Sequence, residues 1–152
     1  MNLRRYNAWR FRYPYVNAPA DEPGEIFEGT DASKGLGISP TGGINMVDEE
    51  ASVRQSILLL LSTIPGERVM RPDYGCELHR LVFSPNDNTT AGLAIHYVRQ
   101  ALDRWEPRAQ VTHLDAGPNP DNPQRLDILL EYRLRRTQNV NELAFSINLT
   151  ED

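Results

Sequence analysis

One cysteine, one lysine and three histidines among 152 residues leave this chain short of the groups that carry covalent, metal and proton-transfer chemistry. Cys76, being alone, excludes an internal disulfide and fits a reducing compartment or indifference to redox state. Long apolar runs are missing too: the run at residues 57–61 falls far short of a bilayer span. The start is basic, yet residues 7–20 are aromatic and polar and lack the apolar segment of a secretory signal. A formal net charge of −5 argues against bulk attraction to nucleic acid.

The scarcity of lysine (Lys34 only) is offset by arginine, which supplies fifteen of the sixteen basic residues. Arginine's planar fork suits desolvated, geometrically fixed interface pairs, although a GC-rich coding bias gives the same excess. Hydrophobic content of 39% and charged content of 24% fit one soluble globular domain with its own core.

Composition divides the chain at residue 46. In residues 1–46, Arg4, Arg5, Arg10 and Arg12 interleave with Tyr6, Trp9, Phe11, Tyr13 and Tyr15. An acidic stretch follows (Asp21, Glu22, Glu25, Glu28, Asp31), then a Gly- and Pro-rich one. No helical or strand period runs through it, so it reads as an extended arm and linker that orders against a partner. Arg4, Arg5, Trp9 and Arg10 are its candidate anchors, because Arg, Trp and Tyr dominate interface hot spots. Packing on its own domain, or stacking on a nucleic acid, is the other use of such a segment.

Residues 47–152 carry the periodic patterns. Asp48, Glu49 and Glu50 cap a helix whose apolar positions Val53, Ile57, Leu60, Leu61 and Ile64 recur at helical spacing, and Pro65-Gly66 ends it. Val69-Met70 reads as a short extended piece stopped by Pro72. A short amphipathic turn or helix follows Gly75, with Leu78, Leu81, Val82 and Phe83. The loop 84–88 caps a second helix, about 90–105, with Ala91, Ala94, Ile95, Val98, Ala101, Leu102 and Trp105 on one face. Pro107 forces its end. Three strands follow, the first around Ala109, Val111 and Leu114, with a Pro- and Gly-rich loop from Gly117 to Gln124 leading to the second. In the second, Leu126, Ile128, Leu130, Tyr132 and Leu134 alternate with polar residues. In the third, Leu143, Phe145, Ile147 and Leu149 do the same. The expected fold is α+β: two main helices packed on a small antiparallel sheet with open edges, preceded by the arm. The edge expected to accept a partner strand runs through Leu126, Ile128, Leu130, Leu143, Phe145 and Ile147.

At each helix exit a carboxylate and a guanidinium adjoin: Glu67-Arg68 after Gly66, and Glu106-Pro107-Arg108. Such sites can hold a bidentate ion pair, within the chain or with another. Cys76 and His79 have the spacing of two metal ligands, but two ligands do not make a zinc site, and a buried Cys beside a surface His is the simpler reading. His96 and His113 have no partner nearby in sequence.

Several words stand in order: Val53-Arg54-Gln55-Ser56-Ile57, Leu61-Ser62-Thr63-Ile64-Pro65-Gly66-Glu67-Arg68, Arg71-Pro72-Asp73-Tyr74-Gly75-Cys76-Glu77-Leu78, Leu81-Val82-Phe83 and Ala101-Leu102-Asp103-Arg104-Trp105-Glu106-Pro107-Arg108. Over about residues 46–150 the chain resembles the small baseplate wedge, or sheath-initiator, family of contractile phage tails. It is also similar to the matching subunits of type VI secretion systems and contractile injection particles, and its wording leans toward the latter. The arm is longer than is usual in that family.

The resemblance implies a structural subunit, made in the cytoplasm and built into the particle's baseplate in six copies. Its implied partners are the sheath subunit, the baseplate wedge proteins and the inner tube and hub proteins. It implies that a sheet edge nucleates the sheath by strand augmentation, and that Glu106 and Arg108 make inter-subunit bonds directed by Pro107. The alternative is an internal clamp of Arg108 with Glu67, or of Glu106 with Arg68. No cofactor, metal, small-molecule substrate, nucleic acid or membrane insertion is implied.

The family has also been labelled lysozyme-like, and a peptidoglycan hydrolase would draw on Glu67, Asp73, Glu77 or Glu106. Glu67 and Glu106 each have an Arg as neighbour or near-neighbour, and an arginine beside a carboxylate acts in the wrong direction for a general acid. A nucleic-acid adaptor working through the arm is the remaining alternative. It requires salt-sensitive binding that truncation at about residue 20 abolishes, measurable by titration with DNA at two salt concentrations.

Overall fold

The computed structural model of the protein describes residues 8–9, 41–42, 46–47 and 49–150. Strands β1 (Ala8–Trp9) and β2 (Met46–Val47) form a short antiparallel pair. Helix α1 (Glu49–Ser62), a 3-10 helix (Glu77–Leu81) and helix α2 (Asn88–Trp105) follow. Strands β3 (Ala109–Pro118), β4 (Arg125–Leu134) and β5 (Val140–Asn148) then form one antiparallel sheet in that order. Arg4, Arg5 and Arg10 lie outside the described residues. The backbone at Trp9 pairs with Met46, so the segment read as partner-dependent is tied to the start of the domain at that point.

α1 is covered all round. None of its 14 residues is exposed, and Val53, Ile57, Leu58, Leu60 and Leu61 are buried. The near-continuous run 57–61 requires this, because apolar side chains on every face of a helix need cover on every face. α2 is amphipathic by contrast, burying Ala91, Ala94, Val98, Ala101 and Leu102. Asp87 caps it, its side chain accepting from the Thr90 N–H at 2.8 Å. α2 lies along β3, with α1 beside it.

Strand β4 shows strict alternation. Leu126, Ile128, Leu130, Tyr132 and Leu134 are all buried, and Leu143 and Phe145 of β5 meet them. Each such side chain stabilises the fold by about 1.5–3 kcal/mol relative to exposure.

Four expectations change. β4 is the central strand, hydrogen-bonded to β3 on one side and β5 on the other. Leu126, Ile128 and Leu130 therefore lie on no edge, and of the expected edge residues only Leu143, Phe145 and Ile147 belong to a margin strand. Val69-Met70 forms a turn, with the Arg71 N–H bonded to the Arg68 carbonyl at 3.2 Å. Phe83 is no part of the core: it is exposed, at φ 70°, and its N–H bonds the Leu149 carbonyl at 2.6 Å. β3 runs on through Gly117 to Pro118, because pairing with Asp127 and Leu126 holds those residues extended.

Gly75 decides how the loop after α1 returns to the domain. Its φ is +140°, and a Cβ built there would sit 2.5 Å from the Thr63 carbonyl oxygen. Gly66 has φ +98° but open space around it. Gly75→Ala is expected to cost about 2 kcal/mol or more, and Gly66→Ala about half of that, because only the first adds a backbone clash to the conformational penalty. Urea midpoints at constant m-value measure the difference.

Candidate functional site

The two arginine motifs meet at one end of the molecule. α2 ends at Glu106, whose N–H still bonds the Leu102 carbonyl at 2.9 Å. Pro107 cannot continue the helix. The chain turns there, and β3 begins two residues later. A carboxylate at a helix C-terminus faces the negative end of the macrodipole and needs an offset. Arg108 supplies it. Its Nε and an Nη donate to the two Glu106 carboxylate oxygens at 2.7 and 2.8 Å, a bidentate fork within one motif.

The pair is asymmetric: the Glu106 side chain is 2% exposed and that of Arg108 50%. Burial pushes the Glu106 carboxyl up, but the bonds from Arg108 and the Ser56 hydroxyl of α1 outweigh this and hold it below its ordinary value. Glu106 thus joins α1, the end of α2 and the start of β3. The Arg108 carbonyl accepts from the Arg135 N–H at 3.0 Å, which adds the end of β4 to the same junction.

Neither internal clamp expected from the sequence forms. Glu67 accepts from the Ile64 N–H at 2.9 Å instead of meeting Arg108. Arg68 stacks on Tyr74, its guanidinium carbon 4.4 Å from the ring centroid, instead of meeting Glu106. Tyr74 in turn packs edge-on against Trp105, with centroids 5.4 Å apart. Arg104 lies over Trp105 at 4.9 Å and reaches Asp73 at 3.8 Å. Burial raises the Tyr74 phenol, Arg68 lowers it, Glu106 raises it, and Arg108 and Arg71 lower it, with a net rise.

The loop between α1 and the 3-10 helix carries a feature that sequence reasoning missed. Two backbone bonds staple it: Cys76 N–H to Thr63 carbonyl at 2.9 Å, and Gly66 N–H to Pro72 carbonyl at 2.7 Å. At its tip Val69 and Met70 are 94% and 92% exposed. The only signal in the sequence is the pair of breakers, Gly66 and Pro72, bracketing two apolar letters too short to be a strand.

The remaining chemistry-bearing residues are placed plainly. Cys76 is buried, its thiol donating to the Tyr97 carbonyl at 3.5 Å and pushed up to about 11 by burial. His79, His96 and His113 are exposed. Glu77 pairs with Arg80 at 3.1 Å. Among the described residues, no group of three or more His, Cys, Asp or Glu could hold a metal ion. No described helix is long and apolar enough to cross a membrane.

The fold and this junction define a small α+β domain that holds one oriented guanidinium at its helix exits, and its relatives say where such a domain is used. Residues 47–139 match the family described as baseplate wedge protein gp25, and the chain belongs to that family. It is similar to a candidate tail lysozyme from Geobacter sulfurreducens at 42% identity, over 68% of this chain and 93% of that one, with TM-score 0.63. It is similar to a chain of the anti-feeding prophage baseplate at 27% identity, over 65% and 79%, with TM-score 0.61. A chain of the post-contraction pyocin R2 baseplate gives 30% identity, over 66% and 98%, with TM-score 0.53. No curated protein matches. The role that follows from this family and these neighbours is structural, in the baseplate of a phage-tail-like particle.

Removing Arg108 leaves a buried carboxylate unpaired at a helix C-terminus. Arg108→Ala is expected to cost about 1–3 kcal/mol, below the range for a wholly buried pair because Arg108 is half exposed. That lowers the thermal midpoint by several degrees at neutral pH. Glu106 titrates below its ordinary value of 4.5. Its contribution is therefore fully present above about pH 4.5 and lost as pH falls through the depressed value. The gap between wild type and Glu106→Gln, measured by chemical denaturation from pH 7 downward, should close in that window.

Proposed function

We propose that the chain anchors the baseplate wedge through its helix exits and nucleates sheath polymerisation by strand augmentation at β5. The observation that carries this reading is the difference between the sheet's two margins. β3 departs from regular register between Val111 and His113, with Thr112 as the extra residue. Such a bulge bends and twists a strand and blunts its use as a template. β5 pairs with β4 without a shift from Val140 to Asn148. Its outer backbone groups suit an added strand, and Leu143 and Phe145 anchor it to the core from behind.

On this reading the partners are the sheath subunit at β5, and wedge and inner tube or hub proteins at the helix exits. Half-exposed Arg108, with Glu106 held behind it and Pro107 fixing the turn, is the contact residue there; Arg68 extends it. Glu106 is buried and acts by orienting Arg108, so the earlier expectation of a Glu106 bond to another subunit becomes a positioning role. Arg4, Arg5, Trp9 and Arg10 of the arm are proposed as a further contact. The anti-feeding prophage baseplate is six-fold symmetrised, which supports six copies.

The subunit is proposed to be non-enzymatic, although one similar protein is described as a candidate lysozyme. Glycoside hydrolysis needs a carboxyl with a raised pKa. Glu106 is shifted the other way and forked to Arg108, Glu77 is paired with Arg80, and Asp73 faces Arg104. Purified protein should leave the turbidity of a peptidoglycan suspension unchanged, and clearing would restore the hydrolase.

Ala144 is exposed on β5. Ala144→Lys places a charge on the template edge and is expected to leave the thermal midpoint within about 2 °C while reducing sheathed particles on the order of tenfold. Negative-stain counts of sheathed against bare tubes check it. Undiminished sheath would remove β5 as the nucleating edge.

A further inference from the structure

The stapled loop at residues 64–75 presents its apolar tip in a way that folding does not require. Val69 and Met70 bury almost nothing, and each would be as stable as a polar residue on the surface. Exposed large side chains are ordinary when scattered singly. Two adjacent ones, at the tip of a loop held by backbone bonds of 2.7 and 2.9 Å across its stem, are presented in a fixed position. Gly75 gives that stem its close approach to Thr63, as its 2.5 Å clearance shows.

The surroundings say what such a tip would meet. Arg68 and Arg71 flank it, and neither pairs with a carboxylate among the described residues. Arg68 lies over the Tyr74 ring, its guanidinium carbon 4.4 Å from the centroid, which restricts where it can reach. Arg108, forked to Glu106, adds a half-exposed guanidinium face but no net charge. The nearby acids are occupied: Glu67 by the Ile64 N–H, Asp73 by Arg104, Glu106 by Arg108. A locally cationic rim around an apolar tip, on a chain of net charge −5, is complementary to an apolar pocket edged by carboxylates.

We propose that Val69 and Met70 form an anchor that inserts into an apolar, carboxylate-rimmed pocket on another protein subunit of the baseplate. Arg68 and Arg71 close over the pocket's edge. The inference rests on the baseplate reading above and adds the residues that carry the affinity. A few residues packed at the desolvated centre of a contact, inside a rim that excludes water, give most of its binding energy, and arginine is prominent among them. A lipid surface is the other taker of an apolar tip with arginines. Two apolar residues at a turn are far fewer than the apolar face by which interfacial segments hold a bilayer, whereas they suffice to fill one pocket.

The test uses the full chain and the other baseplate subunits of its own particle, purified as a complex, in titrations of labelled protein. Val69→Asp/Met70→Asp is expected to weaken binding at least 30-fold, about 2 kcal/mol at 1.4 kcal/mol per decade. Val69→Ile/Met70→Leu should bind as wild type does. Val69→Thr/Met70→Gln, which removes apolar surface without adding charge, should lose at least tenfold and guards against a folding fault in the Asp pair. A benzophenone side chain at position 70 should crosslink to a segment of a baseplate subunit that combines apolar and acidic residues. Wild-type binding with all variants within threefold overturns the anchor and leaves the baseplate reading intact. Failure of the wild type to bind the complex removes both. Flotation of wild type, but not of the Asp variant, with phosphatidylserine vesicles would assign the tip to a membrane and overturn the protein pocket.

Discussion

The fork between Glu106 and Arg108 is the constraint on which the arrangement of this molecule turns. A carboxylate at the end of α2, 2% exposed and facing the helix's negative pole, is among the costlier groups to bury. It is tolerated because two guanidinium bonds and a hydroxyl from α1 converge on it. Those same bonds fix the angle at which α2 hands over to β3, and through Arg135 the place where β4 ends. An apolar residue at position 106 could fill the space. It could not specify the direction in which the Arg108 guanidinium leaves the surface, and direction is what a subunit contact needs.

The aromatic shelf beside the fork follows from it. With Arg108 committed to Glu106, Arg68 is left to stack on Tyr74, and Arg104 on Trp105. The ring pair Tyr74–Trp105 bridges the loop after α1 to the last turn of α2. The stapled loop therefore stands on α2 instead of hanging from α1. Its tip keeps a set position relative to Arg108, so a partner meets one preformed surface and loses less ordering entropy on docking.

Much of this was legible in the sequence and some was not, for identifiable reasons. Period-2 alternation from Leu126 to Leu134 and from Leu143 to Leu149 fixed which side chains face the core, because a slip of one residue would invert them all. The capping loop 84–88 and Pro107 marked the ends of α2 for reasons that are local. Strand order is non-local: alternation says which face is buried and nothing about which neighbour lies on either side, so the letters make β4 as good an edge as β5. The partner of Glu106 is open in the letters for a different reason. Clamps to residue 67 or 68 and a fork to residue 108 are equally consistent with the letters, and only the turn geometry at Pro107 brings Arg108 back over the carboxylate. Val69 and Met70 look like a strand because apolar letters between breakers usually are one. They are a turn because Gly66 and Pro72 bond each other and leave too little chain between.

The two proposed surfaces differ in what they recognise, and that difference sets an order. A strand edge offers backbone groups common to all proteins and selects poorly among partners. Exposed before its partner is present, β5 is also a liability, blunted by Glu142 and Asn148 but not by Val140 and Ala144 along its exposed positions. The helix exits offer an oriented guanidinium, a cationic rim and a shaped tip, which discriminate. Docking through the exits first would hold β5 at a defined place beside the tube and raise the effective concentration of the edge for the first sheath strands. The gain needs no new contact, since a tethered second site binds as if its partner were present at millimolar concentration. A specific contact at one end thus supplies the selectivity that an edge strand lacks.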